Sequence, residues 1–162
     1  MHAPQVQACV ALGANLGDAL GAVRQALRDL DNAALGRVLR VSSFYRTAPL
    51  EAHGPHFINA VALIQTQHSP LALLHALQAL EHKAGRERPY TNAPRTLDLD
   101  LIFYGDCELS TPELTLPHPR WQARAFVLLP LSEVCPQRVS ADMLACVAHQ
   151  DIERLSIAPS CK

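Results

Sequence analysis

The sequence predicts an α+β fold in which helices pack on an antiparallel sheet. Strand-like segments occur four times along the chain, and a segment with helical apolar spacing follows the first and the third of them. The resulting order is β-α-β-β-α-β. The chain has 162 residues, of which 49% are hydrophobic, which suits one domain, and we expect that domain to span residues 1–162.

The first unit is a strand followed by a helix. Apolar residues alternate with others from Val6 to Leu12, and we expect this strand to end in a loop that begins at Gly13. Asp18 is suited to cap a following helix, in which leucine and valine recur at helical spacing as far as Leu30.

The next unit adds two strands and a second helix. β-Branched and aromatic residues predict a strand over 38–45, and after a loop rich in proline and glycine a third strand is expected over 57–65. Ser69 followed by Pro70 is typical of a helix start, and Gly85 is expected to end that helix.

The last strand of the motif follows a polar segment. Arginine, proline and asparagine replace apolar residues over 85–94, which predicts an exposed loop, and a strand is expected over 96–104. This order matches the ferredoxin-like βαββαβ core, whose antiparallel sheet carries both helices on one face. Beyond it we expect a helix over 121–131 and a less regular C-terminal remainder.

Charge and cysteine content argue against several classes of partner. Lys and Arg number 14 against 15 acidic residues, so the chain has no global basic character for nucleic acid or an anionic membrane surface. The five cysteines are an odd set without a C-x-x-C pair, which is typical of a reduced compartment. No signal-peptide pattern and no apolar run of roughly 18 residues is present, so a cytoplasmic location without a membrane partner is expected.

Two carboxylates inside the last strand are the strongest single signal of chemistry. Asp98 and Asp100 are two residues apart, so strand geometry puts them on the same face, about 7 Å apart at Cα. Magnesium is usually held by one or two carboxylates together with waters and substrate phosphates. The alternative is a half-buried strand with a solvent-facing polar side.

Arginines surround this carboxylate pair. Arg86 and Arg88 precede it in the loop, and Arg95 stands just before the strand. Guanidinium groups suit phosphate oxygens because the planar fork donates two parallel hydrogen bonds, although a solvated basic loop is the alternative. A cation site beside an anion-binding loop is the layout that phosphoryl transfer needs. The P-loop and kinase glycine motifs are absent, so a nucleotide has to be held in another way.

These segments resemble the 6-hydroxymethyl-7,8-dihydropterin pyrophosphokinases, also named 2-amino-4-hydroxy-6-hydroxymethyldihydropteridine diphosphokinases. The string P-R-T-x-D-x-D and the later Pro-His element are the most specific parts of the resemblance. The matching segments are 12–18, 42–50, 57–60, 81–86, 94–100 and 116–118, within residues 8–131.

The resemblance implies transfer of pyrophosphate from ATP to the pterin hydroxymethyl group, with release of AMP, in folate biosynthesis. It further implies a monomer that uses two Mg²⁺ ions, held by Asp98 and Asp100. With these carboxylates, Arg86 and Arg95 form the implied catalytic set.

The same resemblance implies two binding sets. The ATP-binding residues are Gln78, Arg86, Arg88, Arg95, Leu101, Leu114, Thr115, His118 and Arg124. The pterin-binding residues are Thr47, Pro49, Leu50, Phe57, Asn59, Asp98 and Phe126, with Glu81 placed nearby. Phe57 and Phe126 would stack on the two faces of the pterin ring, since a flat conjugated ligand gains aromatic contact on both sides.

Two other functions stay open at this point. A ferredoxin-like nucleotide- or RNA-binding module without catalysis would use the same sheet, and the basic loop favours it, but the carboxylate pair would repel a nucleic-acid backbone. A phosphotransferase that produces ADP would need the same metal pair. The nucleotide product distinguishes these functions from pyrophosphoryl transfer.

Overall fold

The computed structural model describes residues 4–48, 55–85 and 97–157. Short 3₁₀ turns lie at Trp121–Ala123 and Pro136–Arg138. The strands and helices are β1 (Val6–Ala14), α1 (Ala19–Leu30), β2 (Arg37–Val41), β3 (Tyr45–Thr47), β4 (Phe57–Thr66), α2 (Pro70–Ala84), β5 (Asp98–Tyr104), β6 (Leu109–Ser110), β7 (Thr115–Leu116), α3 (Ala125–Val134), α4 (Ala141–Cys146) and β8 (Ile152–Arg154).

The main sheet has β1 and β4 at its centre. Its order is β5-β1-β4-β3-β8, with β2 also beside β4, and the strand pairs are antiparallel. The predicted strand over 38–45 is divided into β2 and β3. Ser42 bridges the gap, because its backbone N–H donates to Val61 O and its Oγ accepts from Val61 N, both at 2.9 Å. The predicted α+β ferredoxin-like core is confirmed.

Helices α1 and α2 cover one face of the sheet, and both begin where the sequence predicts. Asp18 Oδ1 accepts a hydrogen bond from Gly21 N at 3.0 Å, and Ser69 Oγ accepts one from Ala72 N at 3.2 Å. Both caps satisfy N–H groups that a helix leaves unpaired at its start. The buried side chains of this layer include Val10, Leu12, Val23, Leu27, Leu30, Ile64, Leu73 and Leu77.

Helix α3 packs on the opposite face, so helices lie on both sides of the sheet. Its inward side chains are Val127, Leu131 and Val134. They contact a second apolar cluster on the sheet, which includes Cys9, Ala11, Val61, Leu63 and Phe103. A helix in this region was predicted, but its place on the second face was not.

The helix expected over 121–131 is interrupted and begins later. Residues 121–123 form the 3₁₀ turn, Arg124 is extended with φ −120° and ψ 115°, and α3 runs from Ala125 to Val134. In one continuous helix, Trp121 would point about 120° away from Val127. The interruption lets the Trp121 ring pack edge-on against Phe103, with centroids 4.8 Å apart, while Val127 also faces the sheet.

Polar contacts fix the C-terminal half of α3 to β3. Glu133 accepts hydrogen bonds from Ser43 N at 2.9 Å, from Ser43 Oγ at 2.8 Å and from the Tyr45 hydroxyl. Burial opposes ionisation of Glu133, but these bonds and the positive charge of Arg154 outweigh it and hold the pKa of the carboxyl below its usual value. The carboxylate therefore serves as an ionised acceptor that connects α3 to the sheet.

The C-terminal region has more structure than the sequence predicts. After α4, strand β8 pairs with β3 and extends the sheet by one strand. Three residues are too few to show the alternation that marks a strand in sequence. Among the residues that the structure describes, no helix is long and apolar enough to cross a membrane.

We expect the α3 layer to contribute strongly to stability. Leu131 is fully buried, so Leu131→Ala should lower the free energy of unfolding by about 2–4 kcal/mol through lost burial and the cavity left behind. Urea denaturation followed by circular dichroism would measure the loss. Leu71→Ala is the matched control, because Leu71 is 40% exposed and should lose under about 0.5 kcal/mol. Equal losses in the two variants would show that α3 does not pack as described.

Candidate active site

The site begins at the central strand, where Gly13 pairs with residues of both neighbouring strands. Gly13 lies opposite Asn59 of β4 and Asp98 of β5, so β1 continues through Ala14 instead of ending after Leu12. Directly opposed residues share a face of the sheet. A Cβ at position 13 would lie 3.1 Å from Asn59 Oδ1, so the glycine leaves an opening between the two polar side chains.

A pocket of about 260 Å³ lies over this opening. Its walls come from β1, β3, β4 and β5 and from the start of α3. The predicted residues in its lining are Thr47, Phe57, Asn59, Asp98, Asp100, Arg124 and Phe126. The sequence analysis did not assign Ala11, Leu12, Gly13 and Ala48, which also line it. Leu12, Gly13 and Ala48 lie in the segments 12–18 and 42–50 that resemble the family, but their residue types do not by themselves indicate a binding role.

One end of the pocket combines two aromatic rings with an oriented amide. Phe57 begins β4, and Phe126 lies in the first turn of α3, so the rings reach the pocket from separate elements. Asn59 Nδ2 donates to Thr47 Oγ1 at 2.7 Å, and both residues are buried. This bond turns Asn59 Oδ1, an acceptor, toward the backbone of Gly13 and the pocket floor.

The other end of the pocket is charged. Asp98 and Asp100 both line it, which confirms that they share a face, and the Asp100 side chain is 43% exposed. Arg124 Nη1 lies 4.0 Å from Asp100 Oδ2, and the Arg124 guanidinium lies 5.4 Å from the centre of the Phe126 ring. Two carboxylates on one strand face are the oxygen donors that Mg²⁺ prefers, so the donor set fits this ion.

His118 lies beside the charged end as a neutral hydrogen-bond donor. Its backbone N–H donates to Ile102 O at 2.9 Å, and its Nδ1 accepts from Arg120 N at 3.1 Å. With Nδ1 occupied as an acceptor, the neutral ring carries its proton on Nε2. Burial lowers the pKa of His118; the Asp100 charge opposes this, and Arg124 and Arg120 lower the pKa further.

Several predicted ATP-binding residues do not line the pocket. Gln78 is exposed on α2, and Thr115 is exposed on β7. Leu101 and Leu114 are 4% and 8% exposed, so a ligand contact there would involve their backbone. Glu81, placed near the pterin by the resemblance, accepts a hydrogen bond from Leu99 N at 2.9 Å. The predicted residues outside the described ranges are Pro49, Leu50, Arg86, Arg88 and Arg95.

Comparison with characterised proteins gives one consistent family. The sequence model of the 7,8-dihydro-6-hydroxymethylpterin-pyrophosphokinase (HPPK) family matches residues 9–136. The 2-amino-4-hydroxy-6-hydroxymethyldihydropteridine pyrophosphokinase of Synechocystis sp. is 45% identical over 132 residues, covering 82% of this chain and 68% of the relative. The enzyme of that name from Pseudomonas aeruginosa is 41% identical over 153 residues, covering 90% of this chain and 94% of the relative.

Solved structures show the same fold at lower identity. Plasmodium falciparum HPPK-DHPS with pterin and p-hydroxybenzoate superposes with a TM-score of 0.68 at 15% identity. The match covers 90% of this chain but 43% of that one, so this chain spans less than half the length of the Plasmodium protein.

These similarities extend over most of the sequence. The family match runs from residue 9, within β1, to residue 136, just beyond α3, and thus includes every described residue that lines the pocket. The expected enzyme class is confirmed by the two bacterial relatives, and the chain belongs to the 7,8-dihydro-6-hydroxymethylpterin-pyrophosphokinase family.

Proposed function

We propose that the protein transfers the pyrophosphoryl group of ATP to the hydroxymethyl oxygen of 6-hydroxymethyl-7,8-dihydropterin. AMP and the pterin diphosphate are the products, and the reaction requires Mg²⁺ and serves folate biosynthesis. The observation that carries this proposal is a single pocket that joins an aromatic, amide-lined end to a carboxylate pair. A substrate with a flat heterocycle close to its reacting oxygen would use both ends at once.

The aromatic end suits the pterin ring. A volume of about 260 Å³ falls just below the roughly 300–1,000 Å³ of pockets for drug-sized ligands, so it fits a compact bicycle rather than a whole nucleotide. Phe57 and Phe126 provide apolar faces for stacking. The Oδ1 atom of Asn59 provides an acceptor for a ring N–H or amino group. Thr47 orients this amide and thereby contributes to selection of the ring.

The charged end suits the triphosphate. Asp98 and Asp100 would hold two Mg²⁺ ions, which neutralise the charge on phosphate oxygens. Arg124 and the Nε2 proton of His118 can donate hydrogen bonds to those oxygens. Arg86, Arg88 and Arg95 are proposed for the same task on the basis of the sequence. Asp98 is shared by the two ends, so the hydroxymethyl group would stand beside the phosphates.

The state of the working enzyme is also part of the proposal. We propose that the working enzyme is a monomer, as the family resemblance implies. A cytoplasmic location is also proposed, because an odd set of five cysteines without a C-x-x-C pair is typical of a reduced compartment. ATP and the dihydropterin are the partners, and no nucleic acid or membrane is involved.

Product analysis tests the proposal. The protein is incubated with ATP, Mg²⁺ and 6-hydroxymethyl-7,8-dihydropterin, and the nucleotides are separated by anion-exchange chromatography. AMP that appears only when the pterin is present supports pyrophosphoryl transfer. ADP would instead show a phosphotransferase, and unchanged ATP with retained binding would show a module without catalysis.

The carboxylate pair gives the first kinetic prediction. Asp98→Asn and Asp100→Asn keep the side-chain shape but remove negative charge, so turnover should fall by orders of magnitude while the fold is kept. Single-turnover rates measure the effect. Asp106→Asn is the matched control, because the Asp106 side chain is fully exposed on the turn after β5, and its rate should stay unchanged. A pocket variant that keeps more than about a tenth of the wild-type rate, a loss under roughly 1.4 kcal/mol, would contradict a metal-holding role.

The aromatic pair gives a binding prediction. Phe57→Ala and Phe126→Ala each remove one stacking face, so pterin binding should weaken by about 1–3 kcal/mol. ATP affinity should change far less, because the phosphates bind at the charged end. The change should be smallest in Phe57→Ala, since Arg124 of the charged end lies 5.4 Å from the centre of the Phe126 ring. Calorimetric titration with each ligand separately measures both affinities. An equal loss for ATP and pterin would place the two rings in the nucleotide site instead.

A further inference from the structure

The side chain of Gln150 makes hydrogen bonds to the backbone on both sides of a pocket residue. Its Oε1 accepts a hydrogen bond from Ala125 N at 2.9 Å, and its Nε2 donates to Ala123 O at 2.8 Å. The residue between these two contacts is Arg124, which lines the pocket. Gln150 lies outside the family match, which ends at residue 136.

The start of α3 requires such a partner. Arg124 occupies the N-cap position but its side chain makes no capping hydrogen bond. The first N–H groups of a helix have no acceptor within the helix and are satisfied by caps, water or other groups. Gln150 Oε1 supplies an acceptor for Ala125 N from 25 positions further along the chain. The second bond, to Ala123 O, holds the end of the preceding 3₁₀ turn.

These two bonds hold the peptide groups on both sides of Arg124, which is extended with φ −120° and ψ 115°. Arg124 O also accepts the first hydrogen bonds of α3, from Val127 N at 3.1 Å and Leu128 N at 3.0 Å, so Gln150 adds to the contacts that keep this conformation. In this conformation the Arg124 guanidinium lies 4.0 Å from Asp100 Oδ2. If Arg124 adopted helical angles, the direction of its side chain relative to β5 would change.

Gln150 is itself held in place by buried neighbours. Its backbone N–H donates to Val147 O at 3.0 Å, and Val147 is 2% exposed in a cluster with Ala125 and Leu128. On the other side of Gln150, β8 pairs with β3, where Ile152 lies opposite Thr47. The side-chain amide of Gln150 therefore belongs to a segment whose two ends are held, one by Val147 and the other by the pairing of β8 with β3.

We propose that Gln150 is a positioning residue that orients Arg124 toward the carboxylate end of the pocket. Its effect on catalysis rests on the proposed pyrophosphoryl transfer, whereas its effect on the start of α3 does not. The C-terminal segment beyond the family match would thus complete the active site without touching a substrate.

The kinetic test compares Gln150→Ala with Gln137→Ala. Gln137 is exposed on the 3₁₀ turn after α3 and provides the same change of side chain away from the pocket. At saturating dihydropterin, Gln150→Ala should lower kcat/KM for ATP about 10-fold, which corresponds to about 1.4 kcal/mol, and Gln137→Ala should leave it unchanged. Equal kinetics of Gln150→Ala and wild type would overturn the proposal.

A double-mutant cycle separates positioning from general destabilisation. If Gln150 acts through Arg124, then Gln150→Ala should change kcat/KM by less than about 2-fold when Arg124→Ala is already present. A purely structural role would give the same 10-fold loss in both backgrounds and would overturn the proposal. Thermal melting of each variant confirms that the rates refer to folded protein.

Amide exchange tests the contact independently of activity. The Ala125 amide should exchange at least about 10-fold faster in Gln150→Ala than in wild type, as followed by NMR, because its acceptor is lost. Gln150→Glu keeps an acceptor for Ala125 N and should restore most of the protection. Unchanged exchange in Gln150→Ala would overturn the positioning role.

Failure of the proposed function can be told apart from failure of this inference. If wild-type protein makes no AMP, the proposed function fails, and amide exchange still decides whether Gln150 holds the start of α3.

Discussion

The candidate active site depends on the register of β1 between β4 and β5. Gly13 faces Asn59 on one side and Asp98 on the other, and this alignment brings the amide and the carboxylate to one opening. A slip of one residue in β5 would turn every side chain of that strand to the opposite face. Leu99 and Leu101, each 4% exposed, would then leave the core and the carboxylates would enter it. Burial of the leucines therefore enforces the position of the charged residues.

The face opposite α1 and α2 is divided between packing and binding. Along β1, Cys9 contacts the α3 layer, Ala11 borders it, and Gly13 opens into the pocket. Side-chain volume thus decreases toward the site within one strand. Part of this face stays open to a ligand because α3 begins only at Ala125, after the extended Arg124, and covers the rest of the face. Strand β1 consequently packs in the core at its Cys9 end and leaves room for a ligand at its Gly13 end.

Local sequence patterns were sufficient for the core and for the common face of the two carboxylates. The caps at Asp18 and Ser69, the apolar spacing of both helices and the alternation of the last strand are short-range signals, and the structure agrees with them. The common face of Asp98 and Asp100 follows from period-two geometry alone. The aromatic rings and the asparagine of the pocket came from family resemblance, since their spacing carries no chemical signal.

Features that depend on distant contacts could not be read from sequence. Gly13 becomes a pocket residue only after three strands align, and the extended Arg124 lies between Ala123 and Ala125, which both bond to Gln150. Strand β8 is defined by its partner β3 rather than by its own three residues. Each of these features joins segments far apart in the chain, where propensity and periodicity carry no information.

The most direct test of this account is the affinity of Gly13→Ala for the dihydropterin. Gly13 has ordinary strand geometry, and alanine in a strand is favoured over glycine by roughly 0.5–1 kcal/mol, so the fold should be kept. The added methyl group would meet Asn59 Oδ1 at 3.1 Å and fill the pocket floor. Calorimetric titration of the folded variant should therefore show pterin binding weakened by at least about 10-fold, or about 1.4 kcal/mol. Wild-type affinity in Gly13→Ala would show that the pterin does not bind over this strand.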